Sequence, residues 1–255
     1  MKGFIDYLHT IYVGGLVDSC KIDCKKRNDS ESFLDCEAID VESTMKLESS
    51  LMSEIKGFKQ NSSIAIYDLA LLINMLSYSE EDKEKEDSGE IWVDESKLYY
   101  DGRDKKVEYS LADPELIDKV DLGKTIADFL EDETIGFSLN ATQMREIIKG
   151  LNIIPTDFIK IYTKKNYVMA EIGELNKFVI KVEKFEWLTE NKEDISVCLD
   201  SKNLTAVLRT ALMVKGNIKF FIKDSFPAVV KLENMQRKPE INTAYLISPI
   251  RIEKK

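Results

Sequence analysis

One histidine, His9, stands in the whole 255-residue chain. That scarcity removes most of the general-base, triad and zinc chemistry that imidazole supports. A histidine-based triad has only His9 to use, and the local periodicity puts His9 in a helix. No G-x-S-x-G, P-loop, H-E-x-x-H or dinucleotide glycine pattern occurs. Acid pairs such as Asp200 with Asp224 read as caps and turns. Five prolines and eleven glycines are too few for a fibrous or low-complexity chain. No run approaches the roughly 20 uncharged apolar residues that span a bilayer. The opening MKGFIDYLHTIYVGGLVDS has the lysine and small residues of a signal peptide, but Asp6 and His9 interrupt its apolar run. It reads as an ordered helix of a cytoplasmic protein with no membrane partner.

Cysteine is scarce too: Cys20, Cys24, Cys36 and Cys198. The C-x-x-x-C spacing of Cys20 and Cys24 is compatible with metal ligation, but a zinc site needs a second pair and nearby histidine. These cysteines read as reduced thiols in strands. The chain is expected to be no enzyme and to carry no metal and no cofactor.

What the chain does have is a hydrophobic fraction of 44%, enough for one large core or two ordinary ones. It also has a recurring unit: a brief strand, a polar cap and a helix of about three turns. Ser63, Ala65 and Tyr67 lead to Asp68 and LALLINML. Phe137 and Leu139 lead to Asn140 and ATQMREIIKGL. Ser196 and Leu199 lead to Asp200 and SKNLTAVLRTAL. A fourth helix, KGFIDYLHTIY, opens the chain without its strand, and Gly14-Gly15 stops it.

Between the helices the sequence is strand-like. Residues 16–24, 33–39 and 44–51 read as strands, with KKRNDSES as a hairpin loop. Residues 79–89 read as a charged loop, and 90–94, 96–102 and 105–111 as a meander. A connector follows over 112–136, with a short helix at Ile126–Leu130. The second half repeats the plan, with strands at 135–139, 158–163, 167–171, 177–185 and 195–199. A closing meander takes 218–223, 228–233 and 244–252. The fold expected is α+β: two similar domains, 1–112 and 135–255, each with two helices packed on antiparallel sheet, joined by a connector at 113–134.

The net charge is −10. It is unevenly spread: residues 1–130 hold 16 basic and 29 acidic side chains, residues 131–255 hold 20 and 17. Each helix has one apolar stripe, such as Met144, Ile147, Ile148 and Leu151, or Leu204, Val207, Leu208 and Ala211. Away from these stripes lie Arg145 and Lys149, then Lys202 and Arg209, with Lys215 at the end and Lys2 heading the first helix. Glu146 is the one acid on the second-half outer faces. The helix at Leu69 breaks the pattern, offering Asn74 and no cation. Cations without base-reading amides suit phosphate contacts, which hold DNA without reading its sequence.

Several segments then resemble the sliding clamps of large tailed bacteriophages, members of the PCNA-like clamp superfamily. They are IAIYDLALLINMLSYSEED, SGEIWVDESKLYY, YSLADPELI, FSLNATQMREIIKGL and ISVCLDSKNLTAVLRTALMVKGNIKFFI. The ending TAYLISPIRIE is similar to the closing strand of cellular clamps. The chain departs from the family pattern near Lys25-Lys26-Arg27 and over 51–60. The resemblance implies a homotrimeric ring that encircles double-stranded DNA, is opened by a clamp loader ATPase and tethers the replicative DNA polymerase. In such a ring domain one of a subunit pairs with domain two of the next. It implies that Lys2, Arg145, Lys149, Lys202 and Arg209 face DNA. It also implies a partner pocket near the connector and the last strand, with Tyr245, Leu246, Pro249 and Ile250 as candidate linings. The alternative is a monomeric or dimeric clamp-like accessory factor in viral transcription or repair.

Overall fold

The computed structural model describes every residue except 1, 29–30, 54, 56, 60, 80–88, 95, 103–104, 118–124, 131–134, 165–166, 183–184, 189–193, 235–239 and 251–255. The chain forms two units, each assembled from separated stretches. Unit 1 takes Met1–Val41, Leu47–Val120 and Asn234–Thr243; unit 2 takes Glu42–Lys46, Asp121–Glu233 and Ala244–Lys255.

Unit 1 opens with α1 (Lys2–Tyr12), whose Phe4, Ile5, Tyr7, Leu8 and Ile11 are buried. The helix ends where Gly14 and Gly15 take φ of 63° and 97°, values that glycine reaches without a Cβ penalty. Next come β1 (Cys20–Asn28), β2 (Glu31–Ile39), β3 (Met45–Met52) and β4 (Ser63–Ile66), in the sheet order β3-β2-β1-β4. Helix α2 (Leu69–Ser79) starts at Asp68, whose Oδ1 accepts the Leu71 N–H at 2.8 Å. A meander of β5 (Glu90–Val93), β6 (Lys97–Asp101) and β7 (Lys106–Ser110) completes the unit. Within unit 1, residues 240–243 run beside β3: Met52 N–H donates to Glu240 O at 3.1 Å, and Ser49 Oγ lies 2.6 Å from Thr243 Oγ1. Between β3 and β4, Ile55 and Phe58 are buried. Between them Gly57, at φ 79°, presses its backbone on β5; a Cβ there would lie 2.1 Å from Val93 O.

Unit 2 opens with α3 (Ile126–Leu130), placed where the sequence indicates it. Then come β8 (Ile135–Leu139), α4 (Ala141–Ile153), β9 (Phe158–Lys164), β10 (Tyr167–Ile172), β11 (Phe178–Val182) and β12 (Phe185–Trp187). They are followed by β13 (Ser196–Asp200), α5 (Ser201–Val214), β14 (Asn217–Ile222), β15 (Ala228–Asn234) and β16 (Ile241–Ile247). One sheet has the order β11-β10-β9-β13; in the other, β12, β8, β14, β15 and β16 lie side by side in that order. Asn140 and Gln143 form a reciprocal capping box on α4, at 2.9 and 3.0 Å. Asp200 Oδ1 caps α5 through the Asn203 N–H at 2.7 Å.

The repeat is visible strand by strand. The order β3-β2-β1-β4 matches β11-β10-β9-β13, and the meander β5-β6-β7 matches β14-β15-β16. Isolated bridges repeat as well: Ala65 pairs with Ala112 just after β7, and Leu199 pairs with Pro249 just after β16.

Several boundaries differ from the sequence reading. The first strand starts at Cys20 rather than residue 16, and β1 and β2 continue through most of KKRNDSES as a ladder to Asn28↔Glu31. Polarity suggested a loop, but backbone pairing does not require apolar side chains. The single strand expected over 177–185 is two strands in two sheets: β11 pairs with β10, and β12 pairs with β8. The last strand ends at Ile247, ahead of Pro249, which lacks the N–H a ladder needs. The acidic runs at 80–87 and 131–133 lie outside the described residues.

Candidate nucleic-acid interface

Helices α4 and α5 pack side by side in unit 2 and bury their apolar stripes against the sheet of β9, β10, β11 and β13. The fit under α4 is close. A Cβ on Gly150 would meet Ile172 Cδ1 and Phe178 Cδ1, both at 2.7 Å. Buried Asn203 on α5 donates through Nδ2 to Thr44 Oγ1 at 2.8 Å. These contacts fix which sides turn outward. Arg145 and Lys149 are exposed one turn apart on α4, and Lys202 and Arg209 are exposed on α5. Lys215 is exposed at the left-handed C-cap of α5, with φ 55°. Glu146 is exposed beside Arg145.

Lys202 is paired across the sequence. Its Nζ lies 2.9 Å from Glu42 Oε1, with both side chains 61% exposed. Such an exposed surface pair is worth little.

Unit 1 is less basic on its helices. Only Lys2 is exposed on α1, and Asp6 and Thr10 are buried with its apolar residues. Burial holds the His9 imidazole below its usual pKa, with Asp6 opposing the shift. The outward side of α2 shows Leu71, Asn74 and Tyr78. A cation does reach α2, from a place the sequence did not suggest. Lys105, in the β6–β7 turn, donates to the Tyr78 carbonyl at 2.9 Å and lies 4.4 Å from the centre of its ring. A positive charge suits a helix C-terminus. No helical periodicity marks Lys105; only the return of the meander brings it there.

The C-terminal residues do not share one surface. Successive strand residues point to opposite faces. Tyr245 therefore turns into the core, fully buried, which pushes its phenol up, while Leu246 faces the other way. Leu246 packs with Ile126 and Val229, and Phe129 and Leu130 of α3 close over them. Pro249 and Ile250 are half-buried beside β13, where Ile250 N–H donates to Cys198 O at 2.8 Å. Of the four expected pocket linings, Tyr245 is the one whose side chain is fully enclosed.

Cys20 and Cys24 are both buried on β1. A hydrogen bond with the Cys20 thiol, together with burial, holds Cys36 well above the usual thiol range. Among the described residues no group of three or more histidine, cysteine, aspartate or glutamate side chains is placed to hold a metal. Among them, too, no helix is long and apolar enough to cross a membrane.

The architecture is α+β and is that of the DNA sliding clamps, with two helices packed on antiparallel sheet in each unit. Three solved structures show the likeness. A. fulgidus PCNA, bound to the C-terminal region of FEN-1, superposes with a TM-score of 0.76 at 17% identity, covering 99% of this chain and 97% of that one. The proliferating cellular nuclear antigen of Entamoeba histolytica gives 0.74 at 13% identity, with 97% and 95% covered. PCNA from Thermococcus kodakaraensis gives 0.72 at 13%, with 98% and 96% covered. By sequence, no family model and no curated protein matches the chain.

Proposed function

We propose that the chain is a DNA sliding clamp, a homotrimeric ring that encircles double-stranded DNA without reading its sequence and tethers a replicative DNA polymerase. A clamp loader ATPase opens and closes it. The chain serves a large tailed bacteriophage in the host cytoplasm, and it uses no cofactor and catalyses no reaction. Its domains are 1–112 and 135–255, joined by the connector 113–134.

The observation that carries this reading is an incomplete repeat. Within unit 1 the start of β16 and the preceding Glu240 lie beside β3: Thr243 Oγ1 is 2.6 Å from Ser49 Oγ, and Glu240 O accepts the Met52 N–H at 3.1 Å. The counterparts of these two strands, β11 and β7, are edge strands, each flanked on one side only among the described residues. Edge strands invite pairing with another chain. Joining β7 of one copy to β11 of the next repeats a contact the chain already makes, and head-to-tail pairing of this kind closes rings. Phe178 and Val179 on β11 are 37% and 43% exposed, an apolar edge suited to burial.

In the ring, Lys2, Arg145, Lys149, Lys202, Arg209 and Lys215 hold phosphates. Each contact is weak and sequence-blind, so the ring slides while closure retains it. A partner segment docks near the connector and the last strand, the neighbourhood of Leu246, Pro249 and Ile250; that A. fulgidus PCNA is bound to the C-terminal region of FEN-1 supports a partner for such a fold.

Light scattering on the eluting protein tests the assembly. A mass near three times 29.2 kDa is expected. A strict monomer at high concentration sinks the ring and leaves the accessory-factor reading. Charge reversal of Arg145 and Arg209 together is expected to weaken retention on circular duplex DNA with the thermal midpoint unchanged. Equal retention by that variant would remove these residues from the DNA surface.

A further inference from the structure

The repeat also makes the outer faces of the strand sets β3-β2-β1-β4 and β11-β10-β9-β13 comparable position by position. In unit 1, Asp23 pairs with Asp35 on β2 and with Ser63 on β4, and Lys25 pairs with Phe33. In unit 2, Tyr162 pairs with Met169 on β10 and with Ser196 on β13, and Lys164 pairs with Tyr167. The lattice is the same, but two carboxylates at its centre in unit 1 are replaced by a tyrosine and a methionine in unit 2.

The opposite face of this unit 2 sheet, with Ile159, Ile161 and Thr163, is buried. The outer face is partly open at Lys160, Tyr162, Tyr167 and Met169, and exposed at Lys164 and Lys181. Lys181 Nζ lies 3.5 Å from the centre of the Tyr167 ring, and Lys160 Nζ lies 5.4 Å from that of Tyr162. Among the described acids near this face, Glu171 lies 2.7 Å from Lys177 Nζ and also accepts from the Tyr162 hydroxyl at 3.4 Å, and Asp224 Oδ1 accepts the Ser196 N–H at 2.9 Å. Glu174 follows in the β10–β11 turn. The face thus gathers cations among aromatic rings in a chain of net charge −10.

We propose that the outer face of β9, β10, β11 and β13 binds single-stranded nucleic acid, with bases stacked on Tyr162 and Tyr167 and phosphates on Lys160, Lys164 and Lys181. Charge complementarity selects a polyanion. Two tyrosines on diagonally adjacent positions of a sheet select one with flat, unpaired bases, because every base offers a π-face and stacking is indifferent to sequence. A duplex hides its bases and has no use for the rings. The site is separate from the helical cations assigned to duplex DNA, so it stands or falls apart from the clamp reading.

Fluorescence anisotropy with a labelled oligothymidylate and the full chain tests it. Wild type is expected to bind the oligomer more tightly than a duplex of equal length. Tyr162→Ala and Tyr167→Ala each weaken binding by roughly five- to a hundredfold, the range that loss of one stacked base gives. Tyr162→Phe, which keeps the ring, restores it. Lys164→Glu lowers the slope of log affinity against log salt by about 0.7, one single-strand phosphate contact. Equal affinity of wild type and a folded Tyr162→Ala, Tyr167→Ala double variant would overturn the proposal. Displacement of the oligomer by a polyglutamate peptide with the same tyrosine dependence would do so as well, by assigning the face to an acidic protein segment.

Discussion

Tyr109 shows how one residue ties a strand to a helix start. Its hydroxyl accepts the Asp68 N–H at 3.0 Å and donates to the Asp68 carbonyl at 3.1 Å. Burial is the main cause that pushes this phenol up to about 12. Tyr109→Phe leaves both backbone groups without that partner and is expected to cost about 1–3 kcal/mol in a urea titration. His9 makes a different prediction. Its pKa is lowered in the folded state, so between the folded and unfolded values the unfolded chain binds more protons. Stability is therefore full above about pH 6.5 and falls as the pH drops below it. A thermal midpoint measured from pH 7.5 to 5.5 should decline in wild type and decline less in His9→Gln. Neither effect was legible in the sequence. His9 was placed in a helix correctly, but its depth depends on what packs over α1.

At the scale of the element, the helices and their caps were the most legible parts. Asp68, Asn140 and Asp200 each sit before an apolar run with helical spacing, and each caps as that position demands. Asp200→Ala should cost about 1 kcal/mol of stability on chemical denaturation. Strand ends were less legible. A ladder such as β1–β2 tolerates a polar surface, and residues 177–185 carry no local mark where one sheet gives way to another. The segment over 51–60 was visible only as a departure from the family pattern. Its role rests on Gly57, which combines a positive φ with a backbone carbonyl where a Cβ would go. Gly57→Ala is expected to cost about 1–3 kcal/mol and to speed hydrogen exchange in β5. An unchanged exchange rate there would mean that the loop does not hold the strand.

For the whole molecule, the repeat was legible because cap chemistry punctuates it, and the excess of basic residues in the second half was countable. The surface that each cation reaches was not legible. Lys202 meets Glu42 far away in sequence, and Lys105 reaches α2 from a turn. The surroundings of the last strand were legible only as a neighbourhood: alternation along β16 sends Tyr245 and Leu246 to opposite faces. If assembly runs through β11, Val179→Asp should shift the mass measured by light scattering from trimer toward monomer while the circular dichroism spectrum holds. A trimer that persists would move the interface elsewhere.

The proposed contact would join two different edge strands, β7 and β11, and that difference would give it a direction. A ring built by joining β7 to β11 cannot be turned over onto itself, so its two rims present unlike loops and strand ends. On the proposed reading, an enzyme gripping one rim would inherit a heading along the duplex, although phosphate contacts distinguish no base pair from the next.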